Sequence, residues 1–290
     1  MLLDSDILRG DVDLFHGLNQ RLPQRRYRRQ IATFHDLFVL TGEYSTPEFR
    51  ARFAAQARHA AAAADHIIAV SEFTANQVVD LLGVGRETIT VIHHGVRALP
   101  RPATARDVVS REKVVLNVGA IQARKNIVRL VHAFSVLPSD WRLVLAGSMG
   151  YGSAEALEAA KASPAAARIF FTGYLQEGEL ADWFSRASIF AFPSLDEGFG
   201  IPVLEAMAAG IPVLTSRTSA TGEIADGAAA LVDPLSTEEI SETLLRLAEE
   251  ETLRATLIEA GRLRAGTFTW ENAVARTCEL YHRVLEMKTG

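Results

Sequence analysis

Cysteine is nearly absent: Cys278 stands alone in 290 residues. No disulfide can form within the chain, and this usage fits a reducing compartment. Long apolar stretches are also missing, since no run approaches the roughly 20 residues that span a bilayer. The opening Met1-Leu2-Leu3-Asp4-Ser5-Asp6 carries acids where a secretory signal carries positive charge, so a cytoplasmic location is expected. Basic excess is lacking as well, with 30 Lys and Arg against 35 Asp and Glu and a formal net charge of −5. That balance argues against general nucleic-acid binding, whose affinity rests on neutralising phosphates. Residues 1–107 hold 13 Lys/Arg and 12 Asp/Glu (+1), and the rest hold 17 and 23 (−6). One basic run stands out: Arg21, Arg25, Arg26, Arg28 and Arg29. A solvated loop is the ordinary reading of such a run, and contact with an anionic acceptor or the periphery of a membrane is the alternative.

What the chain has in quantity is alternation. Apolar runs rich in branched residues fall at 12–15, 30–34, 66–70, 88–92, 113–118, 141–146, 168–171, 188–192, 211–215 and 228–232, and helical patterns separate most of them. Pro47 suits a first helical turn, Ser71 can cap a helix, and Gly83 can close it. The alternation predicts an α/β protein with parallel sheets covered by helices on both faces. Pro100 and Pro102 break the pattern within 97–112, placing a domain boundary there, and beyond 234 the chain is almost wholly helical. Two doubly wound domains facing a cleft are therefore expected, with the chemistry in loops beyond the carboxyl ends of the strands.

Two loops carry such chemistry. Pro193-Ser194-Leu195-Asp196-Glu197-Gly198-Phe199-Gly200-Ile201-Pro202-Val203-Leu204-Glu205 follows the strand at 188–192. Its glycines let the backbone come close to a ligand, and the helix starting near Pro202 offers amides that favour negative charge. Glu197 on the loop and Glu205 a turn into the helix suit recognition of hydroxyl groups. Asn117-Val118-Gly119-Ala120-Ile121-Gln122-Ala123-Arg124-Lys125-Asn126 is a strand end, a glycine turn and a basic pair before an amphipathic helix. Fixed cations placed there suit an anionic ligand and can stabilise negative charge that develops on it. Acidic Asp-x-Asp pairs, the usual metal alternative, occur only as Asp4-Ser5-Asp6 and Asp11-Val12-Asp13, before or at the first strand; no metal site is expected.

Glutamates eight apart around Gly-Phe-Gly-Ile-Pro, continued by Ala206-Met207-Ala208-Ala209-Gly210, resemble the paired-glutamate motif of retaining family-four glycosyltransferases of the B-type (GT-B) fold. The resemblance implies that Glu197 contacts hydroxyls of the donor sugar, Glu205 the ribose, and Arg124 with Lys125 the diphosphate. Donor-side turns are implied at Gly119, Gly147 and Gly198 to Ile201, and Tyr174-Leu175 is placed near the base. Phe34-His35-Asp36-Leu37 is similar to the family's His-Asp near the anomeric carbon, making His35 a catalytic-site residue that Asp36 orients. His93-His94-Gly95-Val96 resembles the turn into the linker, with a structural role. Thr267-Phe268-Thr269-Trp270 looks like the start of a last helix crossing back to the first domain, with Trp270 as a structural anchor. The domains so implied are a partial acceptor-side one at 1–107, a nucleotide-sugar-binding one at 108–268, and the crossing helix at 269–290.

The activity implied is retaining, metal-independent transfer of a hexose from a GDP- or UDP-linked sugar to a saccharide or lipid-linked acceptor. The layout around His35 resembles the mannosyl branch that uses GDP-mannose, and no cofactor beyond this co-substrate is implied. Nothing before Asp11 resembles the family's first glycine-rich turn. The sequence thus reads as N-terminally shortened, with a partner subunit or homo-oligomer expected to cover the exposed edge. The alternatives are a donor-binding subunit without catalysis, a nucleotide-sugar epimerase, or a phosphorylase, for whose lysine-bound cofactor no site is visible.

Overall fold

The computed structural model describes residues 12–97 and 111–287. Asp4-Ser5-Asp6, Asp11, Pro100 and Pro102 lie outside these described residues. Two compact units divide the chain, Met1–Gly95 with Trp270–Gly290, and Val96–Thr269.

The first unit holds β1 (Leu14–Gly17), β2 (Arg29–Phe34), β3 (His66–Ala69) and β4 (Ile89–Val91), paired in parallel in that order. Successive side chains of a strand point to opposite faces, and β2 divides accordingly. Ala32 and Phe34 join a core with Phe53, Ala57 and Val78, while Ile31 packs with Ile68, Ile92, Leu280 and Val284. The helices α1 (Phe38–Thr41), α2 (Pro47–Ala63) and α3 (Glu72–Leu82) follow their strands. Thr46 caps α2 ahead of Pro47, Ser71 caps α3, and Gly83 closes α3 at φ 70°, satisfying amides and carbonyls that helix ends leave open. The first strand runs two residues later than the apolar pattern predicts. It extends to Gly17, where the following loop returns so closely that a Cβ would lie 2.3 Å from the Arg21 carbonyl oxygen.

The arginine run is largely tied into this unit. Arg29 is buried and meets Asp65 at 3.5 Å and the Met287 carbonyl. Arg26 pairs with Asp65 and Arg28 with Asp13, each at 2.6 Å, and Arg25 lies over the Tyr27 ring. Among the described residues, no helix is long and apolar enough to cross a membrane.

The second unit holds β5 (Glu112–Val118), β6 (Arg142–Ala146), β7 (Ile169–Gly173), β8 (Ala187–Phe192), β9 (Val213–Ser216) and β10 (Ala230–Val232). Its helices are α4 (Ile127–Phe134), α5 (Ser153–Ala162), α6 (Glu177–Arg186), α7 (Ile201–Ala208), α8 (Ala220–Ala225), α9 (Thr237–Glu249) and α10 (Glu251–Ala265); the last helix, α11 (Trp270–Glu286), belongs to the first unit. All strands pair in parallel in the order β10-β9-β8-β5-β6-β7. The chain moves outward from β5 through β6 and β7, then returns to β8 on the other side. The strand order reverses there, and the crevice beyond the carboxyl ends of β5 and β8 is where such sheets hold ligands.

Candidate active site

Both motif loops of the second unit leave the sheet at this switch point. After β5 the backbone turns at Gly119, φ 143°, with its amide donating to the Ala146 carbonyl at 2.9 Å. Gly147, after β6, sits at φ 155°, and a Cβ there would lie 2.0 Å from the Gly119 carbonyl oxygen. Close packing of two loops therefore demands glycine at Gly147. A short 3-10 turn, Ala123–Lys125, then leads to Asn126, held in the left-handed region at φ 61°. Few residues other than glycine accept that backbone, and Asn is among them. The buried Asn126 side-chain amide donates to the carbonyls of Pro193 at 3.0 Å and Pro234 at 2.6 Å, pinning three loops to one another. Sequence reading missed Asn126; its place between a basic pair and a helix start was the available signal.

The three charged residues expected to meet a ligand meet each other. Lys125 Nζ lies 2.5 Å and Arg124 Nη1 2.8 Å from the same Glu197 Oε1. Arg124 also donates to the Asp196 carbonyl at 3.0 Å, and Lys125 lies 4.5 Å from the centre of the Phe192 ring. Burial alone pushes the Glu197 carboxyl up, but the charges and hydrogen bonds of Lys125 and Arg124 outweigh it and hold the group below the usual range. The cluster is thus a carboxylate clamped by two cations in a desolvated pocket, where electrostatic interactions are strong.

Beyond Glu197 the chain enters α7 through Gly200, φ 109°, where a Cβ would sit 2.9 Å from Thr221 Cγ2. Pro202 lacks an N–H, and the amides of Val203 and Leu204 both turn to the Gly200 carbonyl, which leaves the start of the helix to Ile201. Phe199 is buried edge-on against Phe268, with ring centres 5.9 Å apart, so its ring belongs to the core. Glu205, one turn in, is half-buried, and loss of solvent pushes its carboxyl up to about 7. Tyr174 is exposed and Leu175 half-buried just after β7.

His35 lies in the first unit, where it lines a cavity of about 460 Å³ between the carboxyl end of the sheet and α11. Its Nε2 is 2.8 Å from the Leu18 carbonyl and its Nδ1 is 3.1 Å from His94 Nε2. A carbonyl can only accept, so Nε2 carries a proton, while Nδ1 shares a hydrogen bond with His94. These two partners hold the ring. His94 stacks on His35 at 5.1 Å and tilts against Trp270 at 5.7 Å. Deeper in, His16 joins the Tyr281 hydroxyl at 2.6 Å to the Thr33 hydroxyl at 2.8 Å. Burial, with the charge of His35 second, lowers both His16 and His94 to about 4. Neither His16 nor Tyr281 was legible as a site residue. Among the described residues, no three His, Cys, Asp or Glu side chains converge as a metal would require.

The family model described as "Glycosyl transferases group 1" matches residues 104–264, more than half the chain, and that of "Glycosyltransferase Family 4" matches residues 3–98. The O-antigen chain mannosyltransferase B of Escherichia coli is 28% identical over 281 residues, covering 92% of this chain and 74% of that protein. The serotype-specific mannosyltransferase WbdA of the same organism is 27% identical over 238 residues, covering 77% of this chain but 29% of its own length. Among solved structures, HepE of Anabaena in complex with UDP and glucose superposes with a TM-score of 0.74 at 18% identity, covering 90% of this chain and 72% of that one. The two-unit parallel α/β architecture is thus shared with glycosyltransferases of known structure. By the match across its second unit, this chain is an enzyme of the group 1 glycosyl transferase family.

Proposed function

We propose that the chain moves a hexose, mannose from GDP-mannose in the first instance, to a hydroxyl of a saccharide or lipid-linked acceptor, with retention at the anomeric carbon and without a metal. The observation that carries this reading is the Arg124–Lys125–Glu197 cluster at the β5/β8 switch point, beside the start of α7. The two mannosyltransferase relatives support mannose as the sugar. The UDP and glucose bound by HepE make a uridine donor the competitor to test.

In this reading the donor's diphosphate takes over Arg124 and Lys125, and Glu197, so released, turns to hydroxyls of the sugar. Glu205 accepts from the ribose hydroxyls, and exposed Tyr174 lies by the base. As the bond from the anomeric carbon to the phosphate oxygen breaks, both electrons leave with the diphosphate, where the two cations stabilise them. The acceptor oxygen bonds to the same face of the anomeric carbon and its proton passes to the departing phosphate oxygen. With both ring nitrogens of His35 engaged, its peptide carbonyl is the group it offers to the sugar.

Titration calorimetry with GDP, GDP-mannose, UDP and UDP-glucose tests the donor. Selective binding of one base that is lost in Arg124→Ala/Lys125→Ala supports the reading, and no binding to any of the four overturns it. Proton NMR of the fresh product tests retention, which an inverted anomeric configuration would refute.

A further inference from the structure

The cavity of the first unit has a composition that the donor chemistry does not use. Among the described residues, its lining contains no Asp, Glu, Lys or Arg. Ile68 and Ile92 contribute apolar surface, and Trp270 stands at the mouth 48% exposed. At about 460 Å³ it lies within the range of small-molecule sites, which are mostly apolar with a few placed polar groups.

The polar groups are arranged to leave one donor over. Neutral His16 has one protonated and one bare ring nitrogen. If Tyr281 donates to His16 Nδ1, then Nε2–H donates to Thr33 and the Thr33 hydroxyl proton remains unspent. If Nδ1–H donates to Tyr281 instead, Thr33 donates to Nε2 and the Tyr281 proton remains. Either way, the Thr33–His16–Tyr281 chain ends in a hydroxyl whose proton this chain does not use. Burial keeps His16 and His94 uncharged at neutral pH, so no fixed charge comes from them. An anion finds no cation here and a cation no carboxylate. A ligand with a flat apolar face and hydroxyls on its edge matches both the exposed indole and the unspent proton.

We infer that this cavity is a subsite for an uncharged pyranose unit of the acceptor, stacked on Trp270 and hydrogen-bonded by the Thr33–His16–Tyr281 chain. The inference rests on the reading of the chain as a saccharide-accepting transferase, and it gives Trp270 a binding role in place of the anchoring one expected from sequence. His35 on the same wall ties the subsite to the residue that the family resemblance places near the reacting carbon.

The single cysteine supplies a reporter that needs no turnover. Cys278 is exposed and lines the same cavity, so its rate of reaction with a chromogenic disulfide reagent reads occupancy. The probes are methyl α-mannoside and an α-linked mannobiose, with GDP as the control. Saturating saccharide is expected to slow labelling several-fold in the parent chain and in Trp270→Phe, and not in Trp270→Ala; GDP is expected to leave the rate alone. Trp270→Ala should also raise the acceptor KM about tenfold while keeping kcat, as loss of uniform binding does. Calorimetric nucleotide binding with no protection by either saccharide overturns the inference alone, as does protection that persists in Trp270→Ala or comes from GDP. Loss of nucleotide binding in the parent chain would instead count against the donor reading, while saccharide protection would still decide the subsite.

Discussion

Replacing Glu197 with Gln is expected to abolish transfer while tightening the grip on the free nucleoside diphosphate. One carboxylate oxygen already occupies both cations, at 2.5 and 2.8 Å. An arriving diphosphate must displace that oxygen and then sit near a carboxylate of its own sign. At an effective dielectric near 20, a charge pair at 2.8 Å is worth about 6 kcal/mol before desolvation is counted. Desolvation and rearrangement offset most of this, leaving about 1.5–3 kcal/mol, the net scale of charge-assisted hydrogen bonds. The Gln variant should therefore bind GDP or UDP roughly 10- to 100-fold more tightly by calorimetry. It should also melt lower when empty, because two buried cations lose their partner, and recover more than the parent chain on adding nucleotide. A folded Glu197→Gln protein that binds nucleoside diphosphate no more tightly than the parent would refute this account.

Glu205 gives a pH signature. Its carboxyl is raised from about 4.5 to about 7 by burial, so its stabilising contribution is complete below pH 4.5 and is lost as pH rises through 7. Melting curves at pH 5 and 8 should show the parent losing more stability than Glu205→Gln over that interval, and an equal loss in both would sink the assignment. Gly147→Ala must find room for a Cβ 2.0 Å from a carbonyl oxygen at a φ of 155°; a cost of about 2–4 kcal/mol in denaturant unfolding is expected, with nucleotide binding lost. Asn126→Ala strips the amide from two buried carbonyls and is expected to cost about 2–4 kcal/mol by the same assay. His16 and His94, both lowered from 6.5 to about 4 by burial, favour the folded chain above pH 6.5. Their contribution is lost as pH falls towards 4, so His16→Asn should flatten the acid limb of a stability profile, and an unchanged limb would count against the assignment.

The ten strands among the described residues were legible because parallel strands covered on both faces need continuous runs of branched residues, and each run stands between turn-forming residues. The switch point was legible through Gly119 and the Glu197–Glu205 spacing, since both express local backbone needs. Legibility ended where side chains meet across the chain. Lys125 and Glu197 are 72 residues apart and were each read as facing a ligand, not one another. The bond between His16 and Tyr281 spans 265 positions, and no periodicity relates a histidine after the first strand to a tyrosine on the final helix. Phe199 falls within the donor motif while its ring packs on Phe268, because a motif fixes neighbours in sequence and not the direction in which a ring turns.

The membership of α11 in the first unit bears on how the protein is made. Ile31, Ile68 and Ile92 pack against Ala273, Leu280 and Val284 of that helix, which leaves the ribosome after the second unit. Between Gly95 and Trp270 lie the 174 residues Val96–Thr269 of the second unit. At synthesis rates of 5–20 residues per second, roughly 10–35 s separate the two halves of one core. Throughout that interval the second unit can fold, while Ile31, Ile68 and Ile92 have no α11 to cover them. A chaperone bound to stalled chains should therefore be found on that face of β2, β3 and β4, and should leave once Val284 emerges.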